Sequence, residues 1–258
     1  MPTIEIPDTA VIAAILIGPP AVAWVWALSP HALTDWADRR GIQLLPRAVV
    51  PATHHVRSIR IGAAGAITLA WAAGFASIQA EMAMAPWMAA ALGFLVWVSV
   101  CELSRSPIGS GRTRLVERRT LDYTHRSQVV LSSSGATGSV LLVAALPSGQ
   151  RPLAAAVAAI ALVSATAGWL LVGAIVSRRY QVSDAFDDIL EDALRRDSAV
   201  LVAGASTVVL VAATVTNLSL LLPDTGLVQV VGGGAAALAF GGTLPQRRPP
   251  AGEARPAS

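Results

Sequence analysis

The chain has 258 residues, 54% hydrophobic and 14% charged, with a net charge of +3 at pH 7 and a mean hydropathy of +0.59. A soluble globular domain carries about 25% charged residues, so the composition argues against an ordinary soluble fold and for an all-α polytopic transmembrane helix bundle. The isoelectric point near 9.9 does not signal a nucleic-acid partner. All nineteen basic residues are arginines, scattered in short clusters between apolar runs, and they form no basic domain.

The amino-terminal stretch MPTIEIPD carries two acids and no basic residue, unlike the n-region of a secretory signal. About 20 mostly apolar residues are needed to cross the hydrocarbon core as a helix. Seven segments qualify: 9–28, 61–79, 86–101, 128–147, 152–176, 198–222 and 226–243, with a six-span count that drops the glycine-rich last segment as the alternative. Gly18-Pro19-Pro20 is expected to kink or break the first span, because proline removes backbone donors. Residues 1–243 then form one transmembrane domain, and 244–258 a disordered tail rich in Pro, Arg and Gly.

The connections fix an orientation. Segments 29–60, 102–127, 177–197 and the tail hold eighteen of the nineteen arginines, and the alternate connections hold only Arg151. Arginine and lysine accumulate on the cytoplasmic side of inner-membrane proteins, which places the amino terminus outside and the carboxyl terminus inside a bacterial cytoplasmic membrane. Trp24, Trp26, Trp87 and Trp97 fall near span ends, as interfacial aromatics do.

The spans carry little chemistry. Glu81 and Glu102 stand at helix ends and Asp224 in a turn, so no ionisable group lies at depth, which disfavours a proton-coupled transporter. There is no HExxH, no aspartate pair within a span and no histidine in a span, hence no recognisable catalytic constellation. No cofactor or metal is expected. His54 and His55 are adjacent and point apart on a helix, and Cys101 reads as a buried, inert thiol. In the fourth span, Ser132, Gly135, Gly138 and Ser139 put small residues at helical spacing, a face that lets another helix approach closely.

The charge concentrates in the third arginine-rich connection, where 183–196 reads as an amphipathic helix. Val182, Phe186, Ile189, Leu190 and Ala193 recur at spacings of three and four residues, Ser183 is a plausible N-cap, and Glu191–Arg195 and Asp192–Arg196 are favourable i,i+4 pairs. Asp187 and Asp188 crowd further acids, so this helix wants a cationic neighbour. The connection 102–127, with six arginines against three acids, is the candidate dock. The other reading is that each run is a solvated face above anionic headgroups.

Two motifs, RTRLVERRTLDY at 112–123 and EDALRRDSA at 191–199, resemble segments of a group of uncharacterised actinobacterial multi-pass membrane proteins. The likeness spans about residues 60–243 and leaves HALTDWADRRGIQLLPR outside it. It implies association with export or envelope systems and marks Arg112, Arg118, Arg119, Asp122, Tyr123, Asp192, Arg195 and Arg196, with no catalytic role attached.

The leading expectation is a permease-like or accessory subunit working with a cytoplasmic partner through Arg112, Arg118, Arg119, Asp122, Tyr123, Asp187, Asp188, Glu191, Asp192, Arg195 and Arg196. No GxxxxGK[ST] occurs, so an ATPase would be a separate chain. Alternatives are a scaffolding protein that forms a homo-oligomer through its small-residue faces, and an enzyme acting on lipid headgroups, with DAFDD at 184–188 as its nearest metal-binding candidate.

Overall fold

The computed structural model describes residues 8–78, 85–104, 112–114, 120, 123–178, 180–182 and 185–222. Seven helices carry these residues: α1 (Asp8–Ala27), α2 (Ala32–Arg40), α3 (Pro46–Ile78), α4 (Ala85–Leu103), α5 (Arg126–Ala145), α6 (Arg151–Ser177) and α7 (Ala185–Ser219). A short antiparallel ladder pairs β1 (Arg112–Arg114) with β2 (Tyr180–Val182) in the register Arg112↔Val182, Thr113↔Gln181, Arg114↔Tyr180. Six of the seven expected spans fall on helices α1 and α3 to α7. The seventh, 226–243, and the tail 244–258 lie outside the described residues. Among the described residues three helices, α5, α6 and α7, are long and apolar enough to cross a membrane.

Three expectations need correction. The segment 29–60 is largely helical rather than a loop. It folds as α2, then a turn at Gly41 whose φ of 65° suits glycine, then nearly half of α3, which opens on Pro46. The amphipathic helix at 183–196 and the span at 198–222 are one continuous 35-residue helix. Asp197-Ser198 resembles the start of a new helix, since both residue types favour N-caps. Both side chains instead find partners on other helices, so the backbone runs straight through. Gly18-Pro19-Pro20 does not break α1, which is helical on both sides of it. In an apolar setting a break would strand more backbone groups than the two prolines already do.

Side-chain contacts fix the relative directions of the helices. Trp24 Nε1 donates to Thr68 Oγ1 at 3.1 Å and Arg60 to the Trp26 carbonyl at 3.2 Å, so α1 and α3 are antiparallel. The Trp97 indole donates to the Ser58 carbonyl at 2.8 Å while Gly93 abuts Leu69, so α3 and α4 are antiparallel. Against α7, α5 runs parallel and α4 and α6 antiparallel. The long helices therefore alternate in direction, which brings residues 28–45, 104, 112–114, 120, 123–125, 178 and 180–182 to one end of the bundle. We call it the polar end.

Helix α7 is the axis of the fold. Its apolar stretch is 89% buried, against 33% for α6 and 22% for α5. Phe94, Leu95 and Val98 of α4, Val172, Ile175 and Val176 of α6, and Val202, Ala203 and Ala205 of α7 form one core cluster. The outward faces of the surrounding helices are apolar and exposed, among them Val22, Val25, Leu69, Val96, Val100, Val140, Leu141, Val163 and Leu170. So continuous an apolar exterior is costly against water and is the ordinary condition against lipid.

Candidate functional site: a charged joint at the base of α7

The first turns of α7 are built into a small separate core. Leu190 and Leu194, one helical turn apart and fully buried, pack with Ala32, Trp36 and Ala37 of α2 and Ala48, Ala52 and Val56 of α3. The buried stripe is rotated from the expected one, since Ile189 is 57% exposed. Leu190, Glu191, Leu194, Arg195, Asp197 and Ser198 face inward instead.

That rotation carries charge into the interior. Asp197 accepts the Trp36 indole N–H at 2.5 Å on one carboxylate oxygen and pairs with Arg40 on the other. Two residues earlier, Arg195 is 2% exposed and donates from Nε to Glu191 Oε1 at 3.0 Å. Ser198 donates its hydroxyl to Glu102 at the end of α4, and His55 Nδ1 lies 3.9 Å from the same carboxylate oxygen. Glu102 and His55 are each 7% exposed. Ionisable groups read as helix-end or loop residues are therefore enclosed where α2, α3, α4 and α7 meet. Arg178 of the α6 terminus reaches the Glu102 carbonyl at 3.4 Å.

The guanidinium groups are unevenly compensated. Burial, and after it the nearby charges of Arg196 and Arg39, pull Arg40 down from the ordinary arginine value to about 10. Arg60 stacks on the Trp26 ring at 4.7 Å and lies 3.7 Å from Asp35. Burial lowers its pKa, then the charge of Arg39, with Asp35 acting against them.

The sequence-marked residues divide as follows. Tyr123 is buried and donates its hydroxyl to Asp192 Oδ1 at 2.5 Å, and Arg112 sits in the β1–β2 ladder. The two connections 102–127 and 177–197 are thus tied together by backbone pairing, by the Tyr123–Asp192 bond and by Arg178 on the Glu102 carbonyl. Arg118, Arg119 and Asp122 lie outside the described residues. Asp187, Asp188, Glu191, Asp192, Arg195 and Arg196 all belong to α7. The cation that meets α7 at Asp197 is Arg40, from the segment outside the resemblance. Sequence reading set Glu102 at a helix end and His55 beside His54, and assigned no contact to Trp36, Arg40, His55, Glu102, Asp197 or Ser198. The one available signal was Trp36 and Arg40 standing one turn apart on an otherwise polar segment.

The small-residue face of α5 is occupied within the chain. Ser132 Oγ lies 2.8 Å from Thr207 Oγ1 and Ser139 Oγ lies 2.9 Å from Thr214 Oγ1, both on α7. A Cβ on Gly135 would come within 3.0 Å of Leu210 Cβ, and one on Gly138 within 3.1 Å of Thr214 Cγ2. His54 is exposed while His55 is buried, and Asp184 of DAFDD is outside the described residues. Among the described residues no group of three His, Cys, Asp or Glu side chains is placed to hold a metal ion. Comparisons with protein-family models, curated proteins and solved structures find no match.

Proposed function

We propose that the chain is a multi-pass protein of the bacterial cytoplasmic membrane, with seven spans, its amino terminus outside and its carboxyl terminus inside. In this reading it is the permease-like or accessory subunit of an ATP-driven export or envelope system, working with a separate cytoplasmic partner. The observation that carries the proposal is the continuity of α7. At 1.5 Å per residue its 35 residues extend about 52 Å, well beyond a hydrocarbon core of about 30 Å. Its first third is locked into the polar end by Leu190, Leu194, Asp197 and Ser198, and the rest is the most enclosed helix of the bundle. A partner bearing on the polar end would shift the central helix as a rigid element, as packed helices do in switching proteins. The arginine bias supports the orientation, and the apolar exterior supports a lipid surround. The scaffolding alternative loses force, because its small-residue face is already filled by α7.

Purification of the tagged full chain from native membranes in mild detergent tests this. A nucleotide-binding protein should co-purify, and it should be lost when exposed residues of the polar end such as Arg57 and Arg126 are changed to Glu. Recovery of the chain without any such protein across several mild detergents overturns the partnership.

A further inference from the structure

We infer that residues 226–243, the last expected span, dock along one face of α7 and complete the enclosure of that helix within the chain. The neighbours of α7 leave this face unaccounted for. Thr207 and Thr214 meet α5, Ser206 and Asn217 meet α6, and Ser198 meets α4. At 100° per residue, the α5 and α4 directions are separated by about half the circumference of α7 on the side away from α6. Among the described residues no helix packs in that half-circle above the base, where α3 sits. Val200, Gly204, Val211, Val215 and Leu218 fall within it as one stripe.

The stripe is nonetheless covered. Val211 and Val215 are 7% and 5% exposed, and Val200 and Gly204 are buried. Among the described residues the apolar cluster of Val211 and Val215 contains only Leu218 of their own helix. This is the burial of a single chain, so the cover belongs to the same chain and not to a second copy. The stripe is about 27 Å long at 1.5 Å per residue. Between α1 and α7 the stretches outside the described residues are each tied at both ends to one end of the bundle, so none runs its length. Residues 1–7 reach at most about 25 Å even fully extended.

The segment 226–243 matches the stripe: as a helix it is also about 27 Å long. It follows Leu222 across Pro223-Asp224-Thr225, residue types that suit a tight connection, and so runs back antiparallel along α7. Residues equidistant from Asp224 then lie level, Val230 with Leu218, Gly233 with Val215 and Ala237 with Val211. Gly232 to Ala237 carry no side chain larger than a methyl group, which lets a backbone approach a valine-lined face closely. The docking rests on the seven-span part of the reading above and not on the export partnership.

Disulfide trapping in native membranes tests the docking, on the full chain with Cys101 replaced by alanine. Val211→Cys is paired in turn with Ala236→Cys, Ala237→Cys and Leu238→Cys, and Leu218→Cys with Val230→Cys and Val231→Cys. In each series at least one pair should, on oxidation, lose both thiols to maleimide under denaturing conditions while the chain still migrates as a monomer, because facing Cβ atoms come within disulfide reach. Ala213→Cys with Ala237→Cys should keep its thiols, since Ala213 packs with Ala161 and Ala165 of α6. A dimer-sized product would put a second copy on the face, and it or free thiols in both series overturns the docking. An impermeant maleimide on Ser258→Cys judges the span separately. Labelling of that tail in intact cells would sink the seven-span reading, whereas a protected tail with no disulfide sinks the docking alone.

Discussion

Trp36 and Asp197, 161 positions apart, meet in a hydrogen bond of 2.5 Å that joins the short α2 helix to the base of α7. The same carboxylate holds Arg40, so its loss strands a partly buried guanidinium and a buried indole together. Removing one partner of such a pair costs about 3–5 kcal/mol. Losing only a hydrogen bond to a charged group costs about 1.5–3 kcal/mol. Asp197→Asn should therefore lower the melting temperature in detergent clearly more than Trp36→Phe. Equal melting temperatures for the two variants and the wild type would show that α2 is not held through this joint.

Arg40 gives a prediction with a definite sign. Its proton affinity falls on folding, from the ordinary arginine value to about 10, so the protonated side chain opposes the fold. That cost is present at every pH below about 10 and is relieved as pH rises above it. Arg196→Gln removes one of the two like charges behind it, and should raise the melting temperature at neutral pH in a buffer without phosphate or anionic lipid. Added sodium chloride should stabilise the wild type more than the variant, because it screens the same repulsion. A destabilised Arg196→Gln chain would contradict the charge balance described here.

These contacts mark the limit of what the chain's pattern reveals. The apolar runs of α5 and α6 are bounded by polar residues on both sides, so their ends are legible to within two residues. The start of α7 is not, because Asp197-Ser198 carries the chemistry of an N-cap and only its partners on α2 and α4 show otherwise. Periodicity identifies 183–196 as amphipathic but leaves the choice between the Ile189 and Leu194 faces open. Packing against Trp36 and Val56 makes that choice. The arginine-rich connections are visible as charge. Which carboxylate meets which guanidinium depends on tertiary placement that no spacing encodes.

The α5–α7 interface separates two kinds of glycine. A methyl group on Gly135 would press on Leu210 Cβ at 3.0 Å and on its backbone carbon at 3.3 Å, whereas one on Gly173 meets nothing within 4 Å. Overpacking a close helix contact costs about 1–3 kcal/mol, while alanine is the better helix former by about 1 kcal/mol. Gly135→Ala should therefore lower thermal stability and Gly173→Ala should leave it unchanged or raise it. A Gly135→Ala chain as stable as Gly173→Ala would mean that the two helices are not in close contact.

Tyr123 and Asp192 join the two arginine-rich connections through one hydroxyl–carboxylate bond. A double-mutant cycle isolates it. Tyr123→Phe and Asp192→Asn should each destabilise the chain, and the double variant should be less damaged than the sum, with a coupling energy of about 0.5–3 kcal/mol. Strict additivity would remove this tie and leave the β1–β2 ladder and the Arg178–Glu102 bond as the described links between the segments.

The alternating helix directions turn orientation into a labelling experiment. Arg57 and Arg126 are exposed at the polar end, and Ser148 and Gly149 are exposed in the connection between α5 and α6 at the opposite end. The native thiol Cys101 can be replaced by alanine so that single cysteines can be introduced at each site. Guanidinium-bearing connections are retained on the cytoplasmic side because moving them across lipid is costly. A membrane-impermeant maleimide should therefore label Ser148→Cys and Gly149→Cys in intact cells, and Arg57→Cys and Arg126→Cys only after permeabilisation. Labelling of Arg126→Cys in intact cells would invert the proposed orientation, put the polar end outside, and leave a cytoplasmic partner with no route to the charged base of α7.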